Sequence, residues 1–358
     1  MKQIFDDILQ LQKAGHLEAA KSGYLDLIAT SPTHSDAWHM LGIVYAEEGL
    51  YAEAVHALQQ ALQFDTANPT IRLHLANIYK AKGDLALAQQ TLEQLIADNP
   101  TFAAAYNNLG IIHFAQRNWP AAIDTFQIAI DLQPDFVDAY YNLGLTYSKQ
   151  AQYERAMPVY QAILELAPEH PGAKFQLAML YMQQENFQQA KIYLNEMAGI
   201  YPYHFETQSN LAACYLRLGK LDSAKAHYLL AHKINDQDLQ ILFNLGVIAM
   251  QQGDMPLARE YYAKALALNP NFVDAHNNIA IVYLALKNVA EARKHFCEVL
   301  RLQSDNNPSV KHTINILNQT TNIDHSPPEY IQTLFDSYAD HYDLHLTIAL
   351  RDQLKVAQ

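Results

Sequence analysis

One residue type recurs at one interval through most of this chain: Ala20, Ala54, Ala88, Ala122, Ala156, Ala190, Ala224, Ala258 and Ala292 stand 34 residues apart. Nine copies of a 34-residue unit, starting at residues 1, 35, 69, 103, 137, 171, 205, 239 and 273, follow one another without insertion or deletion and end at Asn306. A unit of that length is one supersecondary element that cannot bury its own apolar face, so the copies must stack. Every other residue is therefore best read by its position within the repeat, the alanines being position 20.

Position eight is Ile8 in the first copy and Gly or Ala thereafter: Gly42, Ala76, Gly110, Gly144, Ala178, Ala212, Gly246 and Ala280. Two small residues per copy allow two helix backbones to approach closely. Large apolar residues surround them, with Leu41, Leu75, Leu109, Leu143, Leu177, Leu211, Leu245 and Ile279 at position seven and Tyr45, Tyr79, Tyr147, Tyr181, Tyr215 and Tyr283 at position eleven. Positions seven, eight and eleven share one helical face. Aromatic residues at position seventeen (Tyr51, Trp119, Tyr153, Phe187) and position twenty-four (Tyr24, Phe126, Tyr160, Tyr228, Tyr262, Phe296) mark a second helix, so each copy is a helical hairpin.

The punctuation agrees. Gly15, Gly49, Gly83, Gly219 and Gly253 fall between the two helices, where a positive φ costs glycine least. Pro32, Pro100, Pro134, Pro168, Pro202 and Pro270 fall at position thirty-two, where the second helix must stop. Pro120 and Pro256 sit in the first turn of a second helix, where a missing N–H is harmless, whereas Pro158 lies four residues further in and predicts a local distortion.

The pattern W-x-x-L-G-x-x-Y, then A-x-x-x-F, then P, clearest over "AWHMLGIVYAEEGLYAEAVHALQQAL" from Ala37 to Leu62, resembles the tetratricopeptide repeat family over 306 of 358 residues. The resemblance implies an all-α fold: a right-handed α-solenoid of nine hairpins, with the first helix of each repeat (helix A) lining the inner surface. It further implies that positions two, five, six, nine and twelve face the groove. Position six runs Asp6, Met40, His74, Asn108, Asn142, Gln176, Asn210, Asn244, Asn278.

Asparagine is a mediocre helix former, so helix preference does not explain that run. A carboxamide offers both donor and acceptor and can pair with a peptide unit without reading its side chain. The column is similar to the asparagine ladder lining the superhelix of O-linked N-acetylglucosamine transferases, which implies backbone recognition. Asn108, Asn142, Gln176, Asn210, Asn244 and Asn278 are the candidate peptide-binding residues. The plainer alternative is that the asparagines only bond neighbouring helices. Position nine is mostly apolar (Ile43, Ile111, Leu145, Met179, Val247, Ile281) and position two carries Asp36, Asp138, Glu206 and Asp274, which favours a basic and apolar partner. A role in clamping acidic chaperone tails is not expected, since the inner columns supply basic residues chiefly as Lys80, Lys149 and Arg217, in different repeats.

Composition narrows the remaining classes. The 24 basic against 37 acidic side chains give a net charge of −13, which repels phosphate backbones and anionic lipid, so neither nucleic acid nor membrane is an expected partner. No apolar run approaches the roughly 20 residues that cross a bilayer, and Asp6 and Asp7 stand where a signal peptide needs an apolar stretch. Cys214 and Cys297 lie inside amphipathic segments without ligand spacing and are expected to be buried, reduced thiols in a cytoplasmic protein.

Beyond the repeats, residues 307–326 read as a capping helix, Asn307 to Leu317, and a linker. Residues 327–358 open with Pro327-Pro328-Glu329 and carry Leu334, Tyr338, Tyr342, Leu346, Leu350 and Leu354 every fourth residue, an amphipathic helix. Tyr330 to Leu354 resembles the lead-in helix of class I S-adenosylmethionine-dependent methyltransferases that carry such repeats, on Phe335, Tyr338, Ala339, Tyr342, Asp343 and His345. The resemblance implies either a longer methyltransferase, with S-adenosylmethionine as cofactor and the solenoid recruiting substrate, or a remnant. No two of the twelve glycines lie within six residues of each other, so no nucleotide or cofactor loop is present. His341 and His345 have no third ligand at fixed spacing, so no metal is expected, and no catalytic residue is assigned. The expected function is a scaffold for an extended protein or peptide segment, held by the fourth to ninth repeats, with the oligomeric state open.

Overall fold

The computed structural model describes residues 2–303 and 307–319. Among these, all regular structure is α-helical, and the chain divides into two compact units, Met1–His170 and Pro171 onward. The first holds five hairpins: α1 (Lys2–Lys13) with α2 (Leu17–Thr30), α3 (Ser35–Glu47) with α4 (Tyr51–Phe64), α5 (Pro69–Lys82) with α6 (Leu85–Asp98), α7 (Ala103–Ala115) with α8 (Trp119–Leu132), and α9 (Val137–Lys149) with α10 (Tyr153–Leu166). The second holds α11 (Pro171–Gln183) with α12 (Phe187–Ile200), α13 (Phe205–Arg217) with α14 (Leu221–Ile234), α15 (Leu239–Gln251) with α16 (Met255–Leu268), α17 (Val273–Ala285) with α18 (Val289–Leu302), and then α19 (Pro308–Gln319). Each second helix packs against its own first helix and, within each unit, against the first helix of the next repeat.

Every turn between paired helices is built alike. The residue at position fifteen has positive φ in all nine repeats, at Gly15, Gly49, Gly83, Gly219 and Gly253 but also at Arg117, Ala151, Glu185 and Lys287. Its N–H bonds to the carbonyl three residues back and the next N–H reaches five back, as in Gly83 N to Lys80 O (3.0 Å) and Asp84 N to Tyr79 O (2.8 Å). This double bond satisfies carbonyls that the helix end leaves open.

Inside each hairpin the small residue at position eight lies under the large one at position twenty-four. A Cβ placed on Gly42, Gly110, Gly144 or Gly246 would stand 2.8, 2.5, 2.6 or 2.6 Å from Leu58, Phe126, Tyr160 or Tyr262. The first repeat solves the same problem in reverse: Ile8 is large, and Gly23 on the facing helix gives up its side chain, a Cβ there lying 2.8 Å from Ile8. All nine alanines at position twenty are fully buried.

A third recurring contact joins consecutive repeats. In five repeats the side chain at position four donates to the carbonyl at position thirty-two of the repeat before, through five different residue types: Trp38 to Pro32 (2.8 Å), Arg72 to Thr66 (2.7 Å), Tyr106 to Pro100 (3.1 Å), Gln208 to Pro202 (2.8 Å) and His276 to Pro270 (2.9 Å). Each bond ties down a carbonyl in the turn between repeats, a group that must find a partner wherever water is excluded.

Two expectations need correction. α10 runs unbroken through Pro158, which is exposed, so the carbonyl deprived of its N–H can reach water without ending the helix. Cys214 is buried, but Cys297 is exposed, because position twenty-five of the second helix faces away from the core. The helix after the ninth repeat is Pro308–Gln319; its Val310 and Leu317 cover Phe296 and Val299. Residues 320–358, with the proposed amphipathic helix, the methyltransferase-like segment, His341 and His345, lie outside the described residues.

Candidate binding face

In the first unit the first helices of successive repeats touch one another directly, α1 with α3, α3 with α5, α5 with α7 and α7 with α9, so they form one continuous face. Its rungs run from position five of one repeat to position six of the next. Asn142 donates to Asn107 Oδ1 at 2.9 Å, and His39 Nε2 meets His74 Nδ1 at 2.7 Å. Asn108 donates to the carbonyl one turn back, Ala104 O, at 2.9 Å. Beside them Ile43, Ile111 and Leu145 are half-buried, and Asp36 and Asp138 are exposed.

The second unit treats the same column differently along its length. Gln176 and Asn210 are half-exposed, and Asn210 donates to Glu206 O at 2.8 Å. Asn244 and Asn278, each 7% exposed, instead donate to the hydroxyls of Tyr228 (2.9 Å) and Tyr262 (3.3 Å) on the second helix of the preceding repeat. At position nine Met179 is half-buried, while Val247 and Ile281 are buried. The six candidate residues thus fall into two environments: four are partly open, two in each unit, and two lie inside the interface between repeats.

Burial shapes the titration of this region. His39 is pushed down to about 4, chiefly by burial and then by His74, with Asp65 acting in the other direction. His74 and Lys80 are also lowered by burial. Burial pushes the Cys214 thiol up to about 12, which keeps it a protonated, unreactive core residue. Among the described residues no three His, Cys, Asp or Glu side chains are placed to hold a metal ion, and no helix is long and apolar enough to cross a membrane.

The Asn244–Tyr228 bond has a measurable consequence. Tyr228→Phe leaves a buried amide N–H without its partner, and the expected loss of stability in urea unfolding is about 1–2 kcal/mol. Asn210→Ala, on the open face, is expected to change stability by less than about 0.5 kcal/mol. Equal losses from the two would contradict the division drawn above.

The columns of the sequence point to position six but not to the rungs, because a rung joins residues 35 apart, one more than the repeat period. Reading position five of each repeat against position six of the next would have paired His39 with His74 and Asn107 with Asn142.

Residues 26–135 match the family model described as the tetratricopeptide repeat domain of cytochrome c-type biogenesis protein H, and other tetratricopeptide repeat models match residues 125–157, 147–202, 203–271 and 243–307. The C-terminal part of a tetratricopeptide repeat-containing protein from Cytophaga hutchinsonii is similar in structure, with a TM-score of 0.57 at 15% identity, covering 67% of this chain and 98% of that one. pilF of Pseudomonas aeruginosa is similar with a TM-score of 0.52 at 20% identity, covering 58% of this chain and 94% of that one. No curated protein matches the sequence. Hairpins of 34 residues, the small residues at positions eight and twenty and five repeat-family matches together place this chain in the tetratricopeptide repeat family.

Proposed function

We propose that this chain is a non-catalytic cytoplasmic scaffold whose first-helix faces, each within its own unit, hold extended protein or peptide segments through side-chain amides. Asn108 and Asn142 serve in the first unit and Gln176 and Asn210 in the second, while Asn244 and Asn278 hold the framework behind the face. Tetratricopeptide repeat proteins bind proteins or peptides, and the fold here is a scaffold of that kind. Support for the finer reading comes from how the amides are spent. Asn108 and Asn210 each use one N–H on their own helix, which orients the amide and leaves its oxygen and second N–H for a peptide unit.

The spacing suits such a ligand. Neighbouring helices pack about 8–10 Å apart and an extended chain advances about 3.3 Å per residue, so one rung meets the ligand at about every third residue. Exposed Asp36 and Asp138 beside half-buried Ile111 and Leu145 favour basic and apolar side chains between the rungs. The free cysteines suit the reducing compartment assigned here.

A peptide selected from a random library against the full chain provides the test. Asn108→Ala and Asn142→Ala are each expected to weaken it about fivefold, the worth of one net hydrogen bond of about 1 kcal/mol. Methylating the peptide's backbone nitrogens is expected to abolish binding, and permuting its residues to leave most of it. Affinity indifferent to both alanines and to N-methylation would remove the amides from the mechanism.

A further inference from the structure

We propose that the His39–His74 rung is an acid-sensitive latch between the second and third repeats of the first unit. The two imidazoles lie on α3 and α5, with Nε2 and Nδ1 at 2.7 Å and ring centroids 4.9 Å apart. A bond between two imidazole nitrogens needs one N–H and one lone pair. Once both rings are protonated neither nitrogen can accept, and the bond becomes a contact between like charges. His39 is only 6% exposed, so water cannot solvate the arriving charge.

The fold supplies its own uncharged version of the rung. Asn107 and Asn142 occupy the same two positions two repeats later and bond at 2.9 Å, without a titrating proton. The pH dependence therefore belongs to the choice of histidine at this rung, and the backbone geometry accepts a carboxamide pair in its place.

Neighbouring charged groups do not replace the lost bond. Asp65, in the turn before α5, acts on His39 and favours its protonated form, but burial and His74 outweigh it. On α4, His56 lies edge-on to Trp38; at the start of α3, His34 stacks on Phe5 and caps Ala37 N. Arg72 of α5 is engaged by Asp98 of α6 and by Thr66 O, and Lys21 of α2 by Glu18 and Glu48. On α1, Asp7 accepts a bond from Gln3.

The direction follows from linkage. The folded state holds His39 neutral down to about 4, whereas the unfolded chain takes its proton near 6.5. Stability is thus whole above about pH 6.5 and is lost as pH falls toward 4. The loss is expected first as a parting of α3 from α5, the two helices the rung joins.

Two measurements on the full chain decide the matter. In amide hydrogen exchange, protection of α3 and α5 is expected to fall at least tenfold more between pH 7 and pH 5 than that of α7 and α9, about one pKa unit's worth of coupling. In His39→Asn/His74→Asn the excess loss is expected to vanish, although fourteen other histidines remain. The same excess in wild type and variant, or none in wild type, overturns the proposal. Should the variant not fold, titration of the wild-type imidazoles by NMR decides: midpoints of both His39 and His74 near 6.5 overturn it, and a depressed midpoint for the pair upholds it.

Discussion

Gly144→Val is expected to cost the first unit about 3 kcal/mol, the upper end of the range for overpacking a well-filled site. A Cβ at Gly144 would sit 2.6 Å from Cε1 of Tyr160, closer than such carbons come to anything, and Tyr160 is fully buried with no room to retreat. Valine adds a branch at that same carbon, so α9 and α10 must move apart and forfeit packing along their length. Gly144→Ala is expected to cost less, because Ala212 and Ala280 already stand opposite Tyr228 and Phe296. The decisive comparison is Gly144→Ala combined with Tyr160→Leu. That pair reproduces Ala76 with Leu92 and Ala178 with Leu194, and it is expected to recover most of the loss seen with alanine alone. Urea unfolding of each variant measures the effect, and a Gly144→Val protein within about 1 kcal/mol of wild type would show that the close approach is not required.

How far the sequence could be read depends on whether a feature repeats within the 34-residue frame or across it. Helix pairs and the small residues at positions eight and twenty repeat within the frame and are visible in the columns of residues; the small-over-large contact repeats there too, but its pairing of position eight with position twenty-four needs the structure. Contacts that join one repeat to the next hide from a column. The bond from position four to the preceding carbonyl is made by Trp38, Arg72, Tyr106, Gln208 and His276, and what these share is a donor at the right reach rather than an identity. The split of the amide column has the same origin. Asn244 and Asn278 bond inward to a tyrosine hydroxyl of the preceding repeat, whereas Asn108 follows a repeat that has Leu92 at that position and Gln176 follows Tyr160, whose hydroxyl meets Ser148 instead. The division into two units at Pro171 leaves no break in the period and could not be seen at all.

The two classes of glycine make the point with a second expected result. At position eight glycine is favoured by space, but at position fifteen it is favoured by the backbone alone: a Cβ on Gly15, Gly49, Gly83, Gly219 or Gly253 would meet nothing within 4 Å, yet φ there lies between 71° and 92°. Arg117, Ala151, Glu185 and Lys287 hold the same left-handed turn with side chains, at φ between 56° and 59°. The conformation costs an L residue about 1–2 kcal/mol, and glycine's greater freedom when unfolded returns about 0.5–1 kcal/mol of any gain. Each replacement by glycine is therefore expected to stabilise by about 0.5–1 kcal/mol. The four sites are far apart in sequence and share no partner, so together they are expected to add about 2–4 kcal/mol, half of it in each unit. The reverse change, Gly83→Ala, is expected to lose about 1 kcal/mol although it creates no clash. Denaturant midpoints that fall on adding glycine at these four turns would mean that their side chains hold the hairpin by contacts worth more than the strain they carry.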